Sequence, residues 1–585
     1  MQTPQALLAE KLSEAVLPKF PEATIQIGPA TDSRFGDYQS NVAMTVAKAA
    51  RRNPREVAAE IISRLDLADI SEKPEIAGPG FINFRLKTDW LARQFSQLAG
   101  DDRLGIPPLK EPKKYVVDFS SPNVAKPMHI GHLRSTILGD TLARIAEFLG
   151  HSVIRDNHIG DWGTQFGMLL TGWKTELNPD ALTADPTAEM ERLYKLISAR
   201  CKDDPSTLDR VRQELVLLQS GDTENLDLWK EMIRLSERQF ETVYGRLGIR
   251  FDVVLGESFY NPWLKEVVDS LKKAGIVRES EGAWCVFSDG SVKPEEDPFL
   301  IKDKDGWRDN PALVQKSDGG FNYTTTDIAT LDYRLKTWAP DEIIVTTDGR
   351  QQMHFRQLFA IFRRWQPEAA AKVRLSHVWF GTILGSDGKP FKTRSGETVK
   401  LANLLDEAEE RAFALVSEKN PELPEDERRE VARIVGLGAV KYADLLPNRQ
   451  SDYVFSWDKM LSFQGNTAPY LQYSHVRIQS IFRKGGSPKV SAENIVLSEA
   501  AEIGLAKKLL QFGEVLPTVL DDHRPNILAN YLYELASTFH SFFETCPVLK
   551  SEGATRETRL ALCATTARIL ERGLELLGIE VPERM

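Results

Sequence analysis

Apolar residues recur at intervals of three and four over long parts of the chain, which is the pattern of helices with one buried face. Near the N-terminus, Asn53-Pro54 supplies a helix cap and a first-turn proline, and Val57 and Ile61 follow at helical spacing. After about residue 400 almost every segment has this period, namely 439–446, 468–483, 500–515, 527–545 and 555–577. The sequence therefore predicts an all-α bundle in its C-terminal third.

The middle of the chain has a different pattern, in which short apolar runs alternate with helical segments. The predicted strands are 115–119, 152–159, 343–346 and 377–384, and the predicted helices between them include 131–149 and 355–365. Such alternation is typical of a parallel sheet covered by helices. A charged, helical stretch from about 170 interrupts it, so we predict a sheet split by an insertion.

The fold class is therefore α/β: a split Rossmann catalytic domain with an inserted helical domain, a small N-terminal α/β domain and an all-α C-terminal bundle. Pro107, Pro108 and Pro112 lie in a polar stretch and indicate a linker. We expect an N-terminal domain at 1–110, with strands at 24–28 and 81–84, and a catalytic domain at 111–400 with its insertion at about 170–290. Connecting helices at 401–464 would lead to the bundle at 465–585.

Composition narrows the class of protein. The 585 residues are 42% hydrophobic and 27% charged, as expected of packed domains, and no apolar run approaches the length of a bilayer span. The four cysteines lie far apart without metal-finger spacing, and no secretion signal opens the chain, so we expect a cytoplasmic protein with reduced thiols. The net charge of −10 argues against general affinity for phosphate backbones.

The strongest chemical signal lies between the first central strand and its helix, where residues 120–132 read Ser-Ser-Pro-Asn-Val-Ala-Lys-Pro-Met-His-Ile-Gly-His. Unpaired N–H groups and the helix dipole favour a polyphosphate at that junction. Gly131 would let a nucleotide approach closely, and His129 and His132 would add donors. Taken alone, the two histidines could equally be a chance pair or part of a metal site.

A second signal is the segment 388–396, Gly-Lys-Pro-Phe-Lys-Thr-Arg-Ser-Gly, which follows the last predicted strand. Lys392 and Arg394 on such a loop could stabilise a departing pyrophosphate. A solvated surface loop is the alternative interpretation.

Together the two segments resemble the HIGH and KMSKS signatures of class I aminoacyl-tRNA synthetases. The segments 120–140, 160–167, 323–327, 391–398, 465–470 and 582–585 further resemble the arginyl-tRNA synthetase family. The resemblance implies an ATP-dependent ligase that converts L-arginine to arginyl-adenylate and transfers it to the 3′-terminal adenosine of tRNA(Arg), releasing AMP and pyrophosphate. It also implies Mg²⁺ arriving with ATP, no tightly bound metal and no membrane; we expect a monomer.

The second signature departs from the usual pattern, because Phe391 and Arg394 stand where lysines are usual and Lys392 is displaced by one position. In the family, the lysine before the first signature, here Lys126, is thought to supply the missing charge. The resemblance therefore implies catalytic roles for Lys126, His129, His132, Lys392 and Arg394, and ATP binding by His129, Gly131, His132 and Lys392. It also implies that bound tRNA is needed before arginine is activated.

A planar guanidinium calls for carboxylates that accept paired hydrogen bonds. By resemblance, the residues that bind arginine are Asp118, Asn123, Glu257, Tyr323, Asp327 and Gln351. Each also has a structural interpretation, since Asp327 could cap a helix, Asn123 could shape a turn and Gln351 could lie exposed. Their joint occurrence favours a binding site.

Two further regions are expected to contact tRNA. In the C-terminal third, Tyr470, Tyr473 and Arg477 form one aromatic and cationic face that could stack on unpaired bases, although a core stripe is equally compatible with the spacing. The bundle resembles an anticodon-binding domain, and the N-terminal region resembles a tRNA-elbow domain with Gly80, Phe81 and Asn83 near the contact.

Two rival functions remain. A nucleotidyltransferase of the same superfamily shares the first signature, but the long helical C-terminal region argues against it. A tRNA-binding relative without catalysis is the other, and the intact His129, Gly131, His132 and Asp327 argue against it.

Overall fold

The computed structural model describes residues 2–392, 398–485 and 495–585, so that Arg394 lies outside the described residues. The chain forms two compact units. The first unit consists of Met1–Lys110, Ser462–Leu576 and Glu580–Met585, and the second unit of Glu111–Leu461 and Leu577–Ile579. Among the described residues, no helix is both long enough and apolar enough to cross a bilayer.

The N-terminal part of the first unit is a small antiparallel sheet with helices packed on it. Its elements are α1 (Pro4–Val16), β1 (Ile27–Pro29), β2 (Tyr38–Ser40), α2 (Val42–Ala50), α3 (Pro54–Ile62), β3 (Glu75–Ala77), β4 (Phe81–Phe84) and α4 (Thr88–Ala99). The strand order is β1-β2-β4-β3. The cap predicted at Asn53 is present, because its side chain accepts a hydrogen bond from the Arg55 N–H at 2.9 Å.

The second unit contains the central sheet, an insertion and a group of connecting helices. Its elements are β5 (Lys114–Asp118), α5 (Ile130–Leu149), β6 (Ser152–Asn157), α6 (Gln165–Glu176), α7 (Pro179–Ala184), α8 (Pro186–Asp203), α9 (Pro205–Ser220), α10 (Thr223–Leu247), β7 (Val253–Val254), α11 (Asn261–Lys273), β8 (Val277–Ser280), β9 (Ala283–Val286), β10 (Leu300–Asp303), β11 (Gly306–Asp309), β12 (Ala312–Gln315), α12 (Tyr323–Trp338), β13 (Glu342–Val345), α13 (Gln352–Trp365), α14 (Pro367–Ala370), β14 (Arg374–His377), β15 (Ile383–Leu384), α15 (Leu401–Lys419), α16 (Glu425–Leu445), β16 (Tyr453–Val454) and α17 (Trp457–Met460). Short 3-10 turns lie at Glu257–Tyr260 and Gly349–Gln351.

The central sheet is parallel, with strand order β14-β13-β5-β6-β7. The chain builds outward from β5 through β6 to β7, and later crosses to the other side of β5 to form β13 and β14. The strand order therefore reverses between β5 and β13. In open α/β sheets, ligands bind at the carboxyl ends of the strands at such a reversal.

The sequence predicts an insertion at about 170–290 that begins with a helical stretch, and the first part of this range is helical. Its helices run from α6 to the end of α10 at Leu247, and β7 then pairs in parallel with β6. The chain has thus returned to the central sheet by residue 253, before it forms the antiparallel sheet β12-β9-β8. The helices share a core that includes Phe166, Met190 and Met232, and Val124 from the loop after β5 is buried in the same core.

The strand predicted at 377–384 is two separate strands. β14 ends at His377, and β15 pairs with β16 instead of with the central sheet. The chain turns here because the Thr382 N–H donates to Asp452 Oδ1 at 2.6 Å, and because Gly381 packs directly on Ser451.

The C-terminal part of the first unit is helical, as predicted. Its helices are α18 (Ala468–Gly485), α19 (Ala500–Leu510), α20 (Phe512–Asp522), α21 (Asn526–Thr545) and α22 (Gly553–Leu576). The predicted helix at 500–515 is therefore two helices that meet at Gln511. The N-terminal part packs on this bundle through Glu514, which accepts hydrogen bonds from the Tyr38 hydroxyl at 2.9 Å and the Gln5 N–H at 2.8 Å.

A close approach between α5 and β5 depends on Gly139, because a Cβ atom there would lie 2.2 Å from Cβ of Phe119, which is fully buried. We therefore expect Gly139→Ala to destabilise the second unit by about 1–3 kcal/mol, the usual cost of overpacking a core. Thermal unfolding followed by tryptophan fluorescence measures this. The matched control is Gly245→Ala in α10, where the new Cβ meets nothing within 4 Å, and the higher helix propensity of alanine should leave stability equal or raised by up to about 1 kcal/mol. Equal midpoints for the two variants would contradict the close packing.

Candidate active site

A cavity of about 630 Å³ lies in the second unit, where the strand order reverses. It is lined by residues that follow β5, β6 and β13, together with residues from α12 and α13. It brings together these residues predicted from the sequence: Asp118, Asn123, His129, Gly131, His132, Glu257, Tyr323, Asp327 and Gln351. The first and last of these residues, Asp118 and Gln351, are more than 200 positions apart in the chain, so the fold brings the set together.

The loop between β5 and α5 has a strained backbone. Ser120, Ser121 and Ala125 have φ angles of 73°, 50° and 62°, in the left-handed region that residues with a side chain seldom adopt. Hydrogen bonds from other parts of the second unit hold this conformation. The Ser120 N–H donates to Ser135 Oγ at 2.9 Å, and the Ser121 N–H donates to Asn157 Oδ1 at 3.1 Å. The loop shape is therefore imposed by its surroundings.

The two histidines cap the N-terminus of α5. The Gly131 N–H donates to Nδ1 of His129, and the His129 N–H donates to Nδ1 of His132, each at 3.0 Å. Because Nδ1 accepts in both rings, each neutral ring carries its proton on Nε2, where it can be donated to a ligand. Burial lowers the pKa of His132 to about 3, and burial, together with Arg350 and Lys126, lowers the pKa of His129. The pair therefore consists of neutral donors beside the positive end of a 20-residue helix.

Two glycines keep this region open. A side chain at Gly131 would place Cβ 2.8 Å from the His129 ring, and a side chain at Gly160 would place Cβ 2.3 Å from Oδ1 of Asn123. The Val124 N–H donates to the Gly160 carbonyl at 3.0 Å, which fixes the two segments side by side. The Asn123 amide is thereby held at the rim of the cavity.

The opposite end of the cavity is acidic. Burial, followed by the charges of Asp327 and Asp161, raises the pKa of Glu257 to about 8. Asp161 holds the turn that carries Glu257, because its carboxylate accepts from both the N–H and the hydroxyl of Ser258, at 2.8 and 2.6 Å. Asp327, one turn along α12 from Tyr323, lies 2.6 Å from Nε2 of His354. The carboxyl groups of Glu257 and Asp327 thus lie at the same end of the cavity, which suits a cationic ligand.

Asp118 lines the cavity and also forms a hydrogen bond in the protein interior. Its Oδ2 accepts from Nη2 of Arg334 at 2.7 Å, and Nε of the same guanidinium donates to Asp156 Oδ2 at 2.9 Å. Arg334 is 2% exposed and Asp156 is fully buried. Asp118 therefore anchors α12 to the sheet, and a contact with a ligand would be a second role.

The predicted cationic residues do not all reach the cavity. The Lys126 ammonium lies over the ring of Tyr194, 5.1 Å from its centroid, and Lys126 is not among the lining residues. Lys392 is exposed at the end of the described part of its loop, where it pairs with Thr398. Arg394 lies outside the described residues, so its role stays a prediction.

Sequence reasoning missed several residues that the structure places at the site. His354 contacts Asp327, Arg350 lines the cavity with its guanidinium exposed, and Arg334 binds Asp118. Helical spacing could have suggested two of them, since Arg334 lies seven residues after Asp327 and His354 lies three after Gln351. Nothing in the sequence identifies the partners that they contact.

The aromatic face predicted in the C-terminal bundle lines a second cavity, within the first unit. Tyr470, Tyr473 and Arg477 of α18 meet Phe539 and Phe543 of α21 around about 290 Å³. The Arg477 guanidinium lies 4.9 Å from the centroid of the Phe543 ring. In the N-terminal part, Asn83 is 4% exposed and accepts from Gln39 at 2.8 Å, so its side chain supports the sheet, whereas Phe81 is half-buried.

Within the described ranges, no three histidine, cysteine, aspartate or glutamate side chains are grouped so as to hold a metal ion. The histidine pair instead uses its Nδ1 atoms for helix capping. The site residues are thus arranged around two features, neutral donors at a helix N-terminus and an acidic end.

A parallel sheet with this histidine loop at its reversal defines the catalytic unit of a class I aminoacyl-tRNA synthetase. The family model described as "tRNA synthetases class I (R), catalytic domain" matches residues 94–457, the "Arginyl tRNA synthetase N terminal domain" matches 2–86 and the "DALR anticodon binding domain" matches 471–585. An arginine–tRNA ligase from Laribacter hongkongensis is 49% identical over 99% of both chains, and one from Synechococcus elongatus is 48% identical over 100% of both. The chain belongs to the arginyl-tRNA synthetase family.

Solved structures agree in fold. The arginyl-tRNA synthetase of Plasmodium falciparum superposes with a TM-score of 0.83 at 29% identity, covering 100% of both chains. That of Thermus thermophilus superposes with a TM-score of 0.84 at 26% identity, covering 99% of this chain and 100% of that one. The predicted fold class, a Rossmann catalytic domain with an N-terminal domain and a helical C-terminal domain, is confirmed.

Proposed function

We propose that the 630 Å³ cavity is where this chain activates arginine, with its acidic end binding the guanidinium and its histidine pair binding the phosphates of ATP. Family membership makes the overall reaction that of an arginine–tRNA ligase. An oxygen of the arginine carboxylate attacks the α-phosphorus of ATP, a carbonyl–O–P bond forms, and the bond to the leaving pyrophosphate breaks. A ribose hydroxyl of the tRNA's terminal adenosine then attacks the carbonyl carbon and AMP leaves.

The observation that carries the proposal is that one cavity holds both the carboxyl groups of Glu257 and Asp327 and the neutral donors His129 and His132. Asp327 and Glu257 would accept the paired hydrogen bonds of the guanidinium. Asn123, Gln351 and Asp118 would hold the α-amino and α-carboxyl groups. Tyr323, whose side chain is 63% exposed while its ring packs on His354, would close the mouth of the site.

Charge stabilisation at the phosphates would come from the Nε2–H groups of His129 and His132 and from the N-terminus of α5, which Gly131 leaves accessible. Lys126, Lys392 and Arg394 would add positive charge as pyrophosphate departs. Arg350 is a further candidate, because this residue lines the same cavity and its charge lowers the pKa of His129, although its guanidinium is also paired with Asp348. We propose that Mg²⁺ arrives chelated to ATP and that the protein holds no metal of its own.

For tRNA, we propose base stacking on Tyr470, Tyr473 and Arg477, because their aromatic and cationic groups line one cavity. We propose that the N-terminal part contacts tRNA near Phe81. Asn83 would contribute indirectly, because its buried side chain supports the strand that carries Phe81. We also propose that the enzyme is a monomer and that it is cytoplasmic, a compartment in which its four free cysteines would stay reduced.

The proposed function is tested by ATP–pyrophosphate exchange over all twenty amino acids, with and without bulk tRNA. We expect exchange with arginine alone, and only when tRNA is present. Exchange with arginine in the absence of tRNA would keep the ligase activity but contradict the compensating role of Lys126. Absence of exchange in folded protein would favour a tRNA-binding relative without catalysis.

Asp327→Ala should remove half of the guanidinium site. Truncating one partner of a buried charge pair costs about 2–5 kcal/mol, so kcat/KM for arginine should fall at least about 30-fold. The change should lie mostly in KM for arginine, with KM for ATP unchanged. The matched control is Asp332→Ala on the same helix, where the lost partner is Lys336 at 2.7 Å on the surface. Equal kinetics for the two variants would exclude Asp327 from the binding site.

Arginine affinity should depend on pH through Glu257. Its pKa of about 8 in the free site means that the carboxyl group is mostly protonated at pH 7, whereas the guanidinium binds the ionised form. KM for arginine should therefore fall about tenfold per pH unit up to about pH 8 and level off above it, because arginine itself stays charged. Steady-state kinetics from pH 6.5 to 9 measure this. In Glu257→Gln the dependence should disappear, and a dependence that persists would assign it to another group.

A further inference from the structure

Lys126 lies on a strained loop whose backbone is fixed by the insertion. The N–H of Ala125, with φ of 62°, donates to Oγ of Ser236 on α10 at 2.9 Å, and the Ser236 hydroxyl in turn donates to the Met232 carbonyl at 2.8 Å. Val124 and Ala125 are buried in the core of the insertion helices. The backbone entering Lys126 therefore has little freedom to move independently of α10.

The Lys126 side chain is in turn held by α8. Its Nζ lies 5.1 Å from the centroid of the Tyr194 ring, and Tyr194 packs against the same core as Val124. Among the described residues, no carboxylate lies within ion-pair distance of Lys126 Nζ. An aromatic face orients an ammonium group without neutralising it, so the positive charge remains available to an anion. A carboxylate in the same place would repel a triphosphate.

The same face of α8 also contacts the other side of the catalytic signature. Glu191, one turn before Tyr194, pairs with Lys400 at 3.3 Å. Lys400 forms a β-bridge with His129, and the Ile130 N–H donates to the Val399 carbonyl at 3.0 Å. One helical turn of the insertion thus contacts both Lys126 and the segment paired with His129.

From this arrangement we infer that Tyr194 is a positioning residue for catalysis, which orients the Lys126 ammonium on the histidine loop, outside the cavity lining, for its approach to bound ATP. The inference rests on the proposed role of Lys126 in stabilising the phosphate charge. The insertion is then part of the catalytic machinery, because it determines where the charge that replaces the usual signature lysine is located.

The test compares Tyr194→Leu, which removes the aromatic face, with Tyr194→Phe, which keeps it. In ATP–pyrophosphate exchange with arginine and tRNA, Tyr194→Leu should lower kcat about two- to fivefold, the size expected for an exposed cation–π contact. KM for arginine should not change, and Tyr194→Phe should behave like the parent enzyme. Arg200→Leu, at an exposed position on the same helix, controls for effects on the helix. Thermal unfolding of every variant should match that of the parent.

A double-mutant cycle with Lys126→Ala separates the inference from the function on which it rests. If Tyr194 acts through Lys126, Tyr194→Leu should have no further effect in the Lys126→Ala background. The same loss in both backgrounds, or a rate that rises in Tyr194→Leu, would overturn the positioning role. If Lys126→Ala alone leaves exchange unchanged, the proposed role of Lys126 fails first, and the inference fails with it.

Discussion

The buried guanidinium of Arg334 is the interaction on which the site depends. Asp118, the last residue of β5, pairs in register with Asp156 of the adjacent parallel strand β6, and two carboxylates so close together would repel each other without a cation between them. Arg334 reaches both from α12, so the helix that carries Tyr323 and Asp327 is fixed to the edge of the sheet. Removing one partner of such a buried group leaves an uncompensated charge, which typically costs about 3–5 kcal/mol. The arginine end of the cavity is thereby tied to the sheet.

At the phosphate end, the loop after β5 has a strained backbone that hydrogen bonds from other elements stabilise. Residues Ser120, Ser121 and Ala125 adopt left-handed conformations, and partners from α5, β6 and α10 satisfy the amide groups that these conformations expose. Because one of these partners comes from α10, the insertion has a structural role inside the site. A loop held by several separate elements keeps its shape before ligands bind, which favours preorganised electrostatic stabilisation.

Most of the fold follows from periodicity, since the parallel sheet, the helix from 130 to 149 and the C-terminal helices are local patterns. Sequence reasoning was wrong where tertiary packing interrupts a local pattern. The apolar run at 377–384 predicts one strand, but a hydrogen bond to Asp452 turns the chain at Thr382. Within the insertion predicted at about 170–290, no local pattern indicates that β7 pairs with β6 at residues 253–254. In both cases the decisive partner lies far away in the sequence.

The sequence by itself determined the chemistry available: the histidine loop, the acidic residues of the arginine site and the altered second signature, each readable as a motif. The tertiary structure decided which of these groups meet. It placed Glu257 beside Asp327, where burial and like charge raise the pKa of Glu257, and it buried Asn83 in a sheet. It also set Lys126 on Tyr194 rather than in the cavity. The physical reason is that a motif fixes residue types and spacing along the chain, whereas pKa, burial and partners depend on groups that only folding brings near.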